Sequence, residues 1–196
     1  MSTFFSNLGR VLAILVLSAI PAYASEIKGT VNVINGNTLE IGRQEIRLYG
    51  VSAPDGSQIC LQSNGEPKSC VEQARLKLSE YAEKKTVACT PKAKDNSATN
   101  ESIVAVCHRD QTDLNRWLIL QGLAFTDRKY GLAYIDAEDQ ARSNKAGIWQ
   151  WFTCQGKQTC GEMDSCIEAI YYLTECRVSR LNGDKNGIPC ENLCRQ

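Results

Sequence analysis

The sequence predicts an α+β chain: a small five-stranded barrel of OB type carrying three helices, followed by a disulfide-rich helix and calcium-loop module. Three observations lead there. Short β-rich runs early in the chain are separated by Asn35-Gly36-Asn37 and Gly42-Arg43, the spacing of an antiparallel meander. Runs of helical periodicity then alternate with two further β-rich runs. Cysteine density rises after residue 153, with six of the ten cysteines between residues 154 and 194, a segment too short to bury much core without staples.

The first β-rich runs are Glu26–Ile34, Thr38–Ile41 and Gln44–Tyr49. A helix is predicted over Val71–Lys84, where Val71, Ala74, Leu76, Leu78, Tyr81 and Ala82 recur near helical spacing. Thr86–Thr90 and Ile103–His108 read as two more strands, joined by the polar, turn-rich Pro91–Glu101. Cys89 and Cys107 then sit in neighbouring strands and can be bridged across the pair. Thr112 or Asp113 caps a helix over Leu114–Gln121 that stops at Gly122, and a last helix runs over Ile135–Asn144 before Ala146-Gly147. Five strands and three helices in this order favour an OB-type barrel over another α+β sandwich.

Composition bounds the function. Among 196 residues, 22 Lys and Arg balance 22 Asp and Glu, so any nucleic acid is bound weakly at physiological salt and gripped locally. The single histidine, His108, excludes a two-histidine zinc cage and reads as a surface residue. Residues 1–24 read as a signal peptide, with Arg10, the apolar run Val11–Ile20 and Ala22-Tyr23-Ala24 before a cleavage between Ala24 and Ser25. Ten apolar residues span only about 15 Å of helix, against a hydrocarbon core of roughly 30 Å, which disfavours an anchor. A mature chain without a transmembrane segment, secreted or periplasmic, is expected. All ten cysteines (Cys60, Cys70, Cys89, Cys107, Cys154, Cys160, Cys166, Cys176, Cys190 and Cys194) lie beyond that peptide. An even count without paired C-x-x-C knuckles reads as disulfides rather than a thiolate cluster. The expected organisation is a signal peptide over 1–24, a barrel domain over 25–153 and a disulfide-rich domain over 154–196.

In the last of these, Ser165-Cys166-Ile167-Glu168 is a capping-box pattern that starts a helix running to Cys176. The stretch from Asn182 to Glu191 has alternating oxygen ligands, a glycine at its sixth position and a terminal glutamate, as a calcium loop does. Asn182, Asp184, Asn186, the Ile188 carbonyl and Glu191 are the candidate calcium ligands. Only Asp184 and Glu191 carry charge, which predicts weak affinity.

Asn35-Gly36-Asn37-Thr38-Leu39, Ile46-Arg47-Leu48-Tyr49-Gly50-Val51-Ser52-Ala53-Pro54-Asp55, Asp113-Leu114-Asn115-Arg116, Gly122-Leu123-Ala124, Ala141-Arg142 and Gly147-Ile148-Trp149 resemble, in order, the blocks of the staphylococcal-nuclease-like (thermonuclease) family. The resemblance implies an OB-fold barrel with three helices, and active members are calcium-dependent phosphodiesterases of DNA and RNA. Their chemistry uses a hard metal held by carboxylates, two arginines on the phosphate and a glutamate that handles water, all countering charge that builds on phosphate oxygens.

Carried over residue by residue, the two metal carboxylates fall on Asn37 and Ser52, the glutamate on Asp55, and the arginines on Arg47 and Ser102. Arg47 alone matches, and Asp55 is one methylene short. With its partners missing, Arg47 reads equally as a strand arginine paired with a surface carboxylate, and Asp55 reads as a turn cap after Pro54. Lys92 or Lys94 is the route by which a cation can fill the gap at Ser102. Tyr130 falls where the family places a tyrosine beside the nucleotide, while its companion position is Asn100. The resemblance therefore implies a degenerate phosphodiesterase site on a binding or structural module, against the alternative of a slow calcium-dependent endonuclease. The protein or polysaccharide partner is unknown at this stage, and association with the envelope or an exopolysaccharide is a third alternative.

The C-terminal segment resembles the excalibur domain, whose D-x-D-x-D-G-x-x-C-E pattern often follows secreted nuclease-like domains. That resemblance implies calcium binding at the loop and favours pairing of Cys160 with Cys190.

Overall fold

The computed structural model describes residues 25–54, 59–61, 67–95, 102–130 and 132–194; the expected signal peptide, Asp55 and Asn100 lie outside them. Strands β1 (Ile27–Val33), β2 (Thr38–Ile41) and β3 (Gln44–Leu48) form the meander. The Asn35–Asn37 turn between β1 and β2 packs onto the first helix: a Cβ on Gly36 would press against the Ala74 methyl at 2.9 Å, so the site needs glycine. Short pairs follow, β4 (Val51–Ser52), β5 (Ile59–Leu61) and β6 (Pro67–Ser69), and lead into helix α1 (Cys70–Ala82). Ala74, Leu78 and Ala82 form the buried stripe of α1, as its periodicity predicts.

Strands β7 (Thr86–Asp95) and β8 (Ser102–Arg109) complete the barrel. The hydrogen-bonded order is β3-β2-β1-β7-β8, and β8 returns to pair in parallel with β3, so five strands close on themselves. Ile46, Leu48, Ala105 and Cys107 are fully or almost fully buried among the barrel's inward residues, while Arg47 between Ile46 and Leu48 is directed outward. Strand β7 runs five residues further than the expected Thr86–Thr90. It passes Pro91 through a register shift between Pro91 and Ala93, where a residue lacking an N–H is tolerated. Cys89 and Cys107 pair directly across β7 and β8 and are joined, as their spacing allows.

Beyond β9 (Thr112–Asp113), helix α2 (Leu114–Leu120) is capped by the Asp113 carboxylate, which accepts the Arg116 N–H. Asn115 is fully buried: its Oδ1 accepts the Cys107 N–H at 3.0 Å, and its Nδ2 donates to the Tyr49 and Ala105 carbonyls at 2.9 and 3.1 Å. One amide thus ties α2 to β8 and to the end of β3. After β10 (Phe125–Thr126), helix α3 (Ile135–Ser143) meets α2 where Gly122 and Gly147 touch backbone to backbone. Both have positive φ, and Ile148 N–H donates to the Gly122 carbonyl at 2.9 Å. A side chain on either glycine would overlap the other's backbone.

The C-terminal part contains helix α4 (Cys166–Thr174) and the one-turn helix α5 (Glu191–Cys194), stapled by Cys154–Cys176, Cys160–Cys190 and Cys166–Cys194. Ser165 caps α4 by accepting the Glu168 N–H, but the Glu168 carboxylate reaches back to the Asp164 N–H rather than to its own cap residue. Lys157 bridges Asp164 and Glu168, which fastens the segment before α4. The two parts share a core: Ile167 and Ile170 of α4 pack with Phe125, Ala141, Ile148 and Trp149. Phe152 stacks on Tyr171 with ring centroids 5.4 Å apart, and Arg142 of α3 pairs with Glu175 at 3.2 Å beside them.

Candidate functional site

The nuclease-like face is assembled from the β1–β2 turn, β3, β4 and the segment after β10. Asn37 is tied down: its Nδ2 donates to the Val51 carbonyl at 3.1 Å and its Oδ1 accepts the Thr38 hydroxyl at 3.1 Å. A carboxylate at 37 would place a second oxygen against the Val51 carbonyl, so the neutral amide is matched to this position. Ser52 lies in the two-residue ladder with β10, opposite Phe125. Thus neither position that the nuclease resemblance gives to a metal carboxylate presents charge.

Arg47 faces Asp127, whose carboxylate lies 3.8 Å from the guanidinium; the two side chains are 30% and 14% exposed. Asp127 is held in place because its N–H donates to the Gly50 carbonyl at 3.0 Å. Ser102 is almost fully buried at the start of β8, where the register sets Asp95 opposite it and Lys94 opposite Ile103. Arg128 sits next to Asp127, but its guanidinium forks the buried Glu138 carboxylate at 2.7 and 2.8 Å. Glu138 also accepts the Thr126 N–H at 2.7 Å. That arginine is therefore committed to the core.

Tyr130 lies beside Tyr49, with ring centroids 5.0 Å apart, and its carbonyl accepts the Tyr49 hydroxyl at 3.3 Å. Lys129 places its ammonium 5.5 Å from the Tyr130 ring. The structure brings Asn37, Arg47, Ser52 and Tyr130 to one region through β1–β4 and β10, and Ser102, almost fully buried, lies on the same face of β8 as Val104, the strand partner of Arg47. The sequence reading missed Asp127 and Glu138. A signal for Glu138 exists, a carboxylate on α3 next to the buried Ala137 and one turn before the buried Ala141.

The second site is the loop from Asn182 to Glu191. Gly187 at its sixth position runs at φ 89°, which glycine alone adopts freely. The Asn186 amide donates to Asp184 at 2.6 Å and to Glu191 at 2.7 Å, so both charged groups converge on one point. Its Oδ1 accepts the Ile188 N–H at 2.7 Å, closing the turn. The Asn182 Oδ1 is buried with no hydrogen-bond partner, an oxygen left for something else to satisfy. Two carboxylates that meet and a buried amide oxygen without a partner in the same loop are hard oxygen donors, the chemistry calcium requires. Among the described residues no group of three or more His, Cys, Asp or Glu gathers, so amide and backbone oxygens must make up the set.

Comparison with known proteins agrees with both modules. Residues 45–151 match the family described as staphylococcal nuclease homologue, and residues 157–191 match the excalibur calcium-binding domain. Over 149 residues the chain is 35% identical to the succinoglycan biosynthesis protein ExoI of Rhizobium meliloti (strain 1021), covering 74% of this chain and 75% of that protein. Calcium is accordingly the cofactor of the C-terminal module. The disulfides and the excalibur domain are those of a secreted or periplasmic protein, and among the described residues no helix is long and apolar enough to cross a membrane.

Proposed function

Because this chain belongs to the staphylococcal nuclease homologue family, we propose that it keeps the family's barrel without its phosphodiester chemistry and acts as an exported binding or structural module. The observation that carries this reading is the Arg47–Asp127 pair: the matching arginine already faces a carboxylate in the free protein. Neutral Asn37 and Ser52 support it, because hard divalent cations are held by carboxylate charge. So does the loss of the second arginine at Ser102, a type of loss that costs about a thousandfold or more in phosphoryl transfer. In this reading residues 1–24 are removed on export, 25–153 form the barrel domain and 154–196 the calcium-binding domain. With no excess positive charge, contact with nucleic acid is weak and steeply salt-dependent.

The test is a comparison of single-stranded DNA hydrolysis by the oxidised chain and by its Asn37→Asp, Ser52→Asp, Ser102→Arg variant. The unaltered chain is expected to show no calcium-dependent rate; a rate that the three substitutions merely accelerate would establish the slow-endonuclease alternative instead.

A second reading, envelope or exopolysaccharide association, is favoured by the relative named as a succinoglycan biosynthesis protein. In that reading the exported module has an exopolysaccharide as its partner, and an acidic one is the form that a calcium site suits. Cosedimentation of the oxidised chain with acidic exopolysaccharide tests it, and no retention at low salt would remove it.

A further inference from the structure

Beside the calcium loop lies an open groove of about 670 Å³ whose lining includes Leu181, Ile188, Leu193, Arg180, Asp184 and Glu191. Its walls are set in advance. Cys160–Cys190 ties the loop to the turn at Cys160–Glu162, Cys166–Cys194 ties α5 to α4, and the Cys190 N–H donates to the Leu181 carbonyl at 2.8 Å. The groove therefore borders the two charged candidate ligands with a rigid, partly apolar surface.

Charge decides what can enter. Asp184 and Glu191 together just balance a divalent cation, whereas carboxylates at 182 and 186 as well would repel an incoming anion. The two asparagines that weaken the loop remove that repulsion. Coordination points the same way: the five candidate residues supply five or six oxygens, and calcium takes about six to eight. Arg180 adds a cation on the groove wall, exposed and without an ion pair among the described residues.

We propose that the calcium-loaded loop and Arg180 together form a receptor for one carboxylate group of an acidic glycan. One carboxylate oxygen completes the calcium shell, the guanidinium takes the other, and the half-buried Ile188 and Leu193 meet the C–H faces of the sugar. The choice of glycan rests on the exopolysaccharide reading above.

The test follows the loop amides and the Arg180 side chain by NMR in the full oxidised chain, with calcium alone, then with methyl glucuronide, neutral methyl glucoside or an acetylated glutamate dipeptide. Glucuronide is expected to saturate only with calcium present, and glucoside to do nothing. Arg180→Gln should weaken glucuronide about tenfold while leaving the calcium titration unchanged. Binding that survives chelator, or that is equal in Arg180→Gln, would overturn the inference; tighter binding of the dipeptide would overturn the glycan assignment. A loop unmoved by calcium would overturn the receptor together with its metal. Glucuronide failing on a chain that still sediments with acidic polysaccharide overturns this inference alone, and failure of both overturns the reading beneath it as well.

Discussion

Arg47 holds its guanidinium 3.8 Å from the carboxylate of Asp127, a residue eighty positions later in the chain. The contact exists because β4 and β10 pair for two residues and deliver Asp127 to the end of β3, where its N–H is fixed to Gly50. An arginine placed like this is balanced in the free protein. In a working phosphodiesterase the same guanidinium would wait for a phosphate, and its strength there would come from being unbalanced until the transition state forms.

Next to this pair, Glu138 is fully buried against Arg128. Removing one partner of a buried ion pair strands the other, at about 3–5 kcal/mol. Glu138→Gln should therefore lower the unfolding free energy obtained from urea titration by about 3 kcal/mol, the low end of that range, since the amide retains one acceptor. A loss under about 1 kcal/mol would mean that water reaches Arg128 in the variant, contrary to the burial described.

The shared core makes the C-terminal module a part of the fold rather than an appendage. Ile170 is 1% exposed and packs with Trp149 and Ile148 of the barrel domain. Ile170→Ala should cost about 2–5 kcal/mol, and Trp149 fluorescence should change in the same transition as the α4 signal. Two separate transitions, with Trp149 indifferent to the substitution, would contradict a common core.

At the calcium loop, Asn186 supplies one oxygen that must serve both Ile188 N–H and a cation, while its amide nitrogen faces both carboxylates. Asn186→Asp replaces that donor by a second oxygen and adds charge. Calorimetry should show calcium bound about tenfold more tightly. Unchanged or weaker affinity would place the metal away from position 186.

Much of the fold was legible because alternation and periodicity are local. Ile46 and Leu48 flank Arg47 in β3, and Ala74, Leu78 and Ala82 mark one face of α1, so both elements could be read from their own residues. What escaped was non-local. The two-residue pairing of Val51–Ser52 with Phe125–Thr126 has no pattern long enough to see, yet it delivers Asp127 to Arg47. Asn115 was visible as a motif residue, but three hydrogen bonds to two distant strands cannot be read from its neighbours. Strand β7 outran its expected end because pairing with β8 carried it past Pro91, overriding the polar, turn-like composition there. The excalibur pattern was legible in the sequence, since its residues lie within ten positions of one another.

Acid should loosen the start of the C-terminal module. Glu162 accepts the Gln158 N–H, the Thr159 hydroxyl and the Thr159 N–H, which hold its carboxyl below the usual range. A folded pKa below the unfolded value of about 4.3 stabilises fully above that value, and the contribution fades as pH falls through the folded pKa. Carboxyl NMR titration should give a midpoint below the free value, with the Thr159 amide shifting in step. A midpoint at or above the ordinary glutamate value would contradict these hydrogen bonds.

The most direct measurement is hydrolysis of single-stranded DNA by the oxidised chain at about 10 mM calcium, a level chosen to saturate a weak extracellular-type site, against the same protein in chelator. No calcium-dependent cleavage is predicted, with Arg47→Ala indistinguishable from the unaltered chain. Calcium-dependent cleavage that Arg47→Ala abolishes would contradict the account and establish an active nuclease with a rebuilt site.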